Sequence, residues 1–287
     1  MRKFWIMNAK NQKWSLHDKR CFAESPTGLG FKLNVATTKL GDSELVTFSD
    51  NKLDDISLNI LFLGSLEEQY EDYFNLVNFL NYTPIRLFYL KPNINEPYFC
   101  HCSVVSIDKS EVGEDNILRC PAIFKMLTFW QTEKINTIKI KKFDSLGKKY
   151  KLTRKYAYGL NSFSQIPILN YGLKSAPFEI IINGACKNPQ FSLFDENGTK
   201  YGCGKLIGVF DYIYINSEDD NESIILKRDG AVLPNPFNYQ DLSIGQLENV
   251  DVTFLKLKPG KNSLSILIDI DFSGEVEINW RNRYGSI

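Results

Sequence analysis

Residues Cys100-His101-Cys102 crowd nucleophilic and metal-ligating side chains together more closely than any other stretch considered in this 287-residue chain. On a β-strand, successive side chains point to opposite faces. Cys100 and Cys102 therefore share one face while His101 takes the other, and the three cannot close on one ion from that strand. A ligand pair with a distant partner stays open, beside the commoner fate of free thiols, burial in a core. The chain has two histidines, His17 and His101, and neither stands in a recognisable nucleophile–base context. The six cysteines (Cys21, Cys100, Cys102, Cys120, Cys186, Cys203) contain no C-x-x-C and read as buried thiols rather than a disulfide frame.

Other chemistry fails on spacing. "GCGK" at 202–205 would need a glycine at Thr199 and a Ser or Thr at Leu206 to make a phosphate loop. "TGLGF" at 27–31 has two glycines of a dinucleotide fingerprint and no helix after it, so it reads as a loop leading into a strand. Asp269 and Asp271 would share a strand face ~6.5–7 Å apart, a spacing glycosidases use. However, Ile268 and Ile270 claim the core side and leave both acids on the wet face. "SEDDNE" at 217–222 lacks the glycine and spacing of a calcium loop and reads as a hairpin tip. The run 134–155 carries nine Lys or Arg against Asp144 alone. In it Lys139, Lys141, Lys148, Lys149, Lys151 and Arg154 could meet phosphates. The interleaved Ile135, Ile138 and Ile140 make it a strand with a solvated side. The reading is of a non-enzyme without cofactor or metal.

These residues sit on elements that are overwhelmingly strands. Short alternating runs recur at 29–38, 53–63, 85–90, 98–107, 116–127, 135–142, 178–183, 189–194, 201–215, 222–228, 250–257, 263–272 and 275–281. One segment departs. Ser65 and Glu68 form a capping box, Leu66, Tyr70, Tyr73, Phe74, Val77 and Leu80 recur at helical spacing, and Pro84 stops the helix. The opening "FWIMNAKNQKWSL" is too interrupted by Asn8 for a secretory leader. It reads as a hairpin, with strands at 4–7 and 12–16 and Trp14 and Leu16 on one face. Thirty-four basic and 34 acidic residues cancel. No stretch approaches the ~18–20 apolar residues of a membrane span, so a soluble protein made without export is expected.

The order of these features resembles the distal tail proteins of phages, components of the baseplate hub. The likeness rests on "FWIMNAKNQKWSL", "PTGLGF", "TTKLGDSELV" at 37–46, "ISLNILF", "YEDYFNLVNFLNYTPIRLFY" and "LRCPAIFKMLTFW", which together span residues 1–130. The C-terminal "FLKLKPGKNSLSILID…GEVEINWRNRYGSI" is similar to what ends such proteins.

The resemblance implies a mainly β fold. Residues 1–140 would be a ring-forming, sandwich- or barrel-like tail domain with one helix. Strand spacing without helical patterns, beyond a boundary that the basic shift at 134–155 sets near 140, makes residues 141–287 a β-sandwich or jelly roll. The resemblance likens that sandwich to galectins or carbohydrate-binding modules. It also implies a ring of six subunits joining tail tube to baseplate at the virion tail tip, assembled in the host cytoplasm. The expected partners are further copies of itself, the tail tube protein, a tail-associated baseplate protein and a receptor-binding protein. DNA would pass only as cargo, and no membrane is involved. The galectin sugar motif of His, Arg and Trp on adjacent strands is absent. Two surfaces are singled out. Asp42, Glu44, Val46 and Phe48, on a long polar-tipped hairpin, are the expected ring interface. Tyr212, Tyr214 and Asn216, sharing one strand parity with Phe210, are the expected interaction surface of the second domain. That surface would be a docking face or, in the alternative reading of the protein as an adhesin for host cell-wall glycans, a sugar platform.

Overall fold

A computed structural model describes residues 2–30, 32–141, 144–145, 162–219, 221–234, 240–241, 254–268 and 272–287. The chain divides into two compact units, one comprising Met1–Lys134 with Arg283–Ile287 and the other Ile135–Asn282. The first crossing thus falls a few residues before position 140. The last five residues belong to the first unit, which a simple split into 1–140 and 141–287 does not contain.

The first unit runs β1 (Lys3–Met7), β2 (Lys13–Ser15), β3 (Cys21–Thr27), β4 (Leu33–Leu40), β5 (Ser43–Asn51), β6 (Asp55–Phe62), α1 (Leu66–Leu80), β7 (Ile85–Leu90), β8 (Tyr98–Ile107), β9 (Leu118–Met126) and β10 (Trp130–Thr132). Its main sheet has the order β2-β1-β7-β8-β9-β6-β3. The two ends of this path meet through one bridge, His17 to Phe22, and the Ala23 N–H donates to the Leu16 carbonyl at 2.8 Å. The sheet curls on itself without closing a barrel. Alternation then sends Phe4, Ile6, Ile56, Leu58, Ile60, Leu87, Cys100, Cys120 and Phe124 into one core, which α1 covers with Leu76, Phe79 and Leu80.

Local chemistry explains both the helix and the first hairpin. The Ser65 hydroxyl accepts from the Glu68 N–H, and the Glu68 carboxylate accepts from the Ser65 N–H at 2.9 Å. This reciprocal cap satisfies amides that a helix start leaves bare. Gln69 is buried, and its amide is fully used. Nε2 donates to the Gly64 and Asn116 carbonyls, and Oε1 accepts from the Leu118 N–H, all within 2.8–2.9 Å. Asn8, also buried, folds the first turn by accepting from the Lys10 and Gln12 N–H groups and donating to the Phe79 carbonyl. Trp14 packs 5.7 Å from Phe79. Phe4, Ile6 and Trp14 of the opening are therefore covered by the unit's own helix and sheet, whereas Trp5 lies half-buried on the opposite sheet face.

The second unit comprises β11 (Asn136–Ile140), β12 (Asp144–Ser145), β13 (Ser162–Asn170), β14 (Ala176–Lys187), β15 (Gln190–Asp195), β16 (Lys200–Leu206), β17 (Val209–Asn216), β18 (Ser223–Arg228), β19 (Ala231–Val232), β20 (Gln240–Asp241), β21 (Lys256–Leu257), β22 (Gly260–Ile268) and β23 (Glu275–Trp280). One sheet has the order β11-β23-β14-β17-β18-β19, and the other β12-β13-β22-β15-β16-β20. Ile180, Ile182, Ile213 and Ile278 of the first face Ile166, Leu193, Leu264 and Ile266 of the second in one apolar core, which makes a sandwich. The run 201–215 splits at Gly208, which adopts φ +133°. β13 escaped the sequence reading because Pro167 interrupts it. Proline is tolerated there because β12 pairs only with Ser162 and Phe163, so one side of β13 is an edge at position 167. The final strand, β24 (Arg283–Tyr284), returns to pair with β10.

Candidate interaction surfaces

Five of the six thiols are buried, Cys203 alone being half-buried. Cys100 and Cys102 point into the first core, and His101 lies half-buried on the other face. Burial pushes the Cys100 thiol well up, Cys21 up to about 12 and Cys120 up to about 11; in the second unit it pushes Cys186 up to about 12. These thiols stay protonated and poorly nucleophilic. Among the described residues, no group of three or more His, Cys, Asp or Glu could hold a metal. No described helix is long and apolar enough to cross a membrane.

The glycine-rich stretches are structural. A Cβ on Gly28 would sit 2.1 Å from the Asp55 carbonyl oxygen, so the residue lets two backbones approach where φ is +81°. "GCGK" is part of β16. In "SEDDNE" the Ser217 hydroxyl accepts from the Phe178 N–H, and Asp219 pairs with Lys256, at the turn from β17 to β18. In the basic run Lys139 pairs with Glu277 at 2.7 Å. Asp269, Asp271, Lys148, Lys149, Lys151 and Arg154 lie outside the described residues.

Strands β4 and β5 form a two-stranded sheet of their own. Leu33–Phe48 is exposed at every position, with Leu40 at 70%, Val46 at 56% and Phe48 at 53%. Its described anchors lie at the base, where Lys52 N–H donates to the Lys32 carbonyl and Lys32 pairs with Asp54 at 2.9 Å. The four residues expected at an interface do not share one face. Asp42 lies in the turn. Glu44 and Val46 oppose Lys39 and Thr37, whereas a bulge at Thr47 places Phe48 opposite Ala36, on the other face with Leu45. Both faces of the hairpin thus present apolar side chains to solvent.

The trio on β17 is also rearranged. Between Asn183 and Cys186, β14 carries one extra residue relative to β17. Beside this irregularity Phe210 and Ile213, three residues apart, both reach the core, so alternation breaks within β17 and Phe210 does not join Tyr212 and Tyr214. Tyr212 and Tyr214 remain half-buried on the outer face. Lys227 lies 4.9 Å from the Tyr212 ring centroid, and the Tyr214 hydroxyl donates to Glu179 at 3.0 Å. Burial first, then the hydrogen bond to Glu179, pushes Tyr214 up to about 12. Asn216 is buried and spent on the turn, accepting from the Glu218 N–H and donating to the Asn221 carbonyl. Tyr214 and Asn216 are thus engaged within the sheet and its turn, while the Tyr212 ring has the Lys227 ammonium beside it.

Residues 3–127 match the family described as "Distal tail protein, N-terminal domain". No curated protein matches the sequence. Among solved structures, a chain of the phage P2 baseplate in its activated conformation with Ca is similar in fold, with a TM-score of 0.59 at 16% identity covering 100% of both chains. The corresponding structure with Sr matches equally at 17% identity. The SPP1 Dit (gp 19.1) protein, described as a paradigm of the hub adsorption apparatus in phages infecting Gram-positive hosts, gives a TM-score of 0.63 at 11% identity. That match covers 97% of this chain and 98% of that one. The fold likeness extends over both units, and residues 3–127 resemble the N-terminal domain of phage distal tail proteins.

Proposed function

We propose that this protein is a structural, non-enzymatic hub of a phage tail tip, forming a closed ring of six copies between tail tube and baseplate. The observation that carries the reading is the family match over residues 3–127, joined to full-length fold similarity with baseplate and hub proteins. The β4–β5 hairpin supports it independently. A lone hairpin is at best marginally stable in water, and this one exposes Leu40, Leu45, Val46 and Phe48. A neighbouring subunit would cover it, and a head-to-tail contact that closes gives a ring. Asp42, Glu44, Val46 and Phe48 are the proposed interface residues.

The tail tube protein, a tail-associated baseplate protein and a receptor-binding protein are the proposed partners. DNA passes through the ring as cargo, and the virion tail tip is the proposed location. The second unit docks protein in this reading, since the hydroxyl of Tyr214 and both ends of the Asn216 amide already have partners. Mass measured under native conditions at rising concentration tests the ring. A step to one closed oligomer is expected, and a monomer at every concentration contradicts it.

A further inference from the structure

The sheet face of the first unit turned away from its core carries Lys3, Lys13 and Arg86 around an aromatic row whose Phe88 and Phe99 are buried. Strands β2, β1, β7 and β8 pair in the rows Lys13–Met7–Arg86–His101 and Ser15–Trp5–Phe88–Phe99. Phe4, Ile6, Leu87 and Cys100 claim the core side, so alternation turns these rows, with Lys3, the other way. None of the four strands contains an Asp or Glu. The ion pairs of this unit lie elsewhere: Arg20 with Glu68 and Asp72, Lys32 with Asp54, and Arg119 with Asp115. Among the described residues, none involves Lys3, Lys13 or Arg86.

The charges are also held in place. The Trp5 and Phe88 rings stack at 5.1 Å and 10°, and the Lys13 ammonium lies 4.6 Å from the Trp5 centroid. The Arg86 guanidinium donates to Asn11 Oδ1 at 2.8 Å and lies 5.9 Å from the Phe88 ring. Beside Trp5 runs a groove of about 330 Å³ between Lys3 and Lys13. Ring faces and an amide oxygen hold these cations in place, but among the described residues no carboxylate pairs with them, so their charge is left for a partner.

We propose that this face docks an acidic segment of a partner protein. Trp and Arg beside half-buried Met7 and Leu90 have the composition of a protein–protein contact centre, and the flanking lysines select carboxylates. Nucleic acid fits less well, because the Trp5 ring is already engaged by Phe88 and Lys13 and offers no bare plate for a base. The surface stands apart from the hub reading, so its failure leaves that reading intact.

The test uses the full chain with two labelled probes of similar length, an oligoglutamate peptide and an oligothymidylate, at low and high salt. The peptide should bind in a salt-sensitive way, more tightly than the oligothymidylate. Lys13→Gln with Arg86→Gln should weaken it about tenfold with an unchanged thermal melt. If that pair melts early, Lys3→Gln with Lys13→Gln, both at exposed positions, should give the same loss. Absence of peptide binding, or equal binding by a folded variant, overturns the proposal. Tighter oligothymidylate binding, lost in the same variant, overturns it in favour of a nucleic-acid face.

Discussion

Two hairpins in the first unit start from the same kind of sequence and meet opposite fates. β1–β2 and β4–β5 both alternate apolar and polar residues around a short turn. In the first, β1 is hydrogen-bonded along its length to β7, and Ile6 and Leu16 are fully buried. In the second, Val46 and Phe48 stay more than half exposed, and the hairpin pairs only with itself. The difference teaches that alternation specifies a strand but not what covers it. A hairpin whose core lies within its own unit contributes to stability. One that exposes apolar residues on both faces contributes only once something else covers it.

The largest effect should come from charging the uncovered hairpin. Val46→Asp with Phe48→Asp, or deletion of 42–50, should abolish the ring while each unit keeps its melting transition. Native mass and calorimetry check the two halves of that statement, and a ring that persists places the interface elsewhere. The covered hairpin should respond the opposite way. Ile6→Ala should cost about 2–5 kcal/mol of stability in chemical denaturation, as for other buried large-to-small changes. Val46→Ala in the isolated chain should stay within about 0.5 kcal/mol. Equal costs at the two sites would erase the contrast.

Smaller effects are expected on the second unit's outer face. Tyr214→Phe should cost about 1 kcal/mol by removing the bond to Glu179, and Asn216→Ala a similar amount by freeing the turn. Neither should alter the ring. A separate effect, confined to alkaline pH, comes from groups that the exposed hairpin lacks. Folded-state pKa values of Cys21, Cys120 and Cys186 are raised by burial, to about 12, 11 and 12. The native state therefore holds protons that the unfolded chain releases above its ordinary thiol pKa. Their contribution is complete below that value and is lost as pH rises toward 11–12. The melting temperature should be flat near neutrality and fall through this alkaline window. A rise there would contradict the assignment.

Much of this was legible in local sequence. The capping box at Ser65 and Glu68 fixes where α1 starts, and Pro84 forbids its continuation. Ile266 and Ile268, like Val276 and Ile278, alternate into the core as their spacing indicates. What stayed hidden is non-local. The return of Arg283–Tyr284 to β10 involves too few residues to leave a pattern. The face switch at Phe48 comes from a bulge, and the inward turn of Phe210 accompanies a register irregularity against β14; both shift parity by one residue without changing residue type. Proline at 167 masked a strand because its tolerance depends on which edge is unpaired. Phe210, expected to share a face with Tyr212 and Tyr214, is the side chain whose direction the sequence pattern misses.

The central claim is a ring, and imaging of the assembled particle with this chain labelled tests it most directly. Six copies arranged around the tail axis at the tip are expected, and the Val46→Asp, Phe48→Asp variant should remove them. One or two copies at the tip, or an undisturbed ring built from that variant, would contradict the hub reading or its proposed interface respectively.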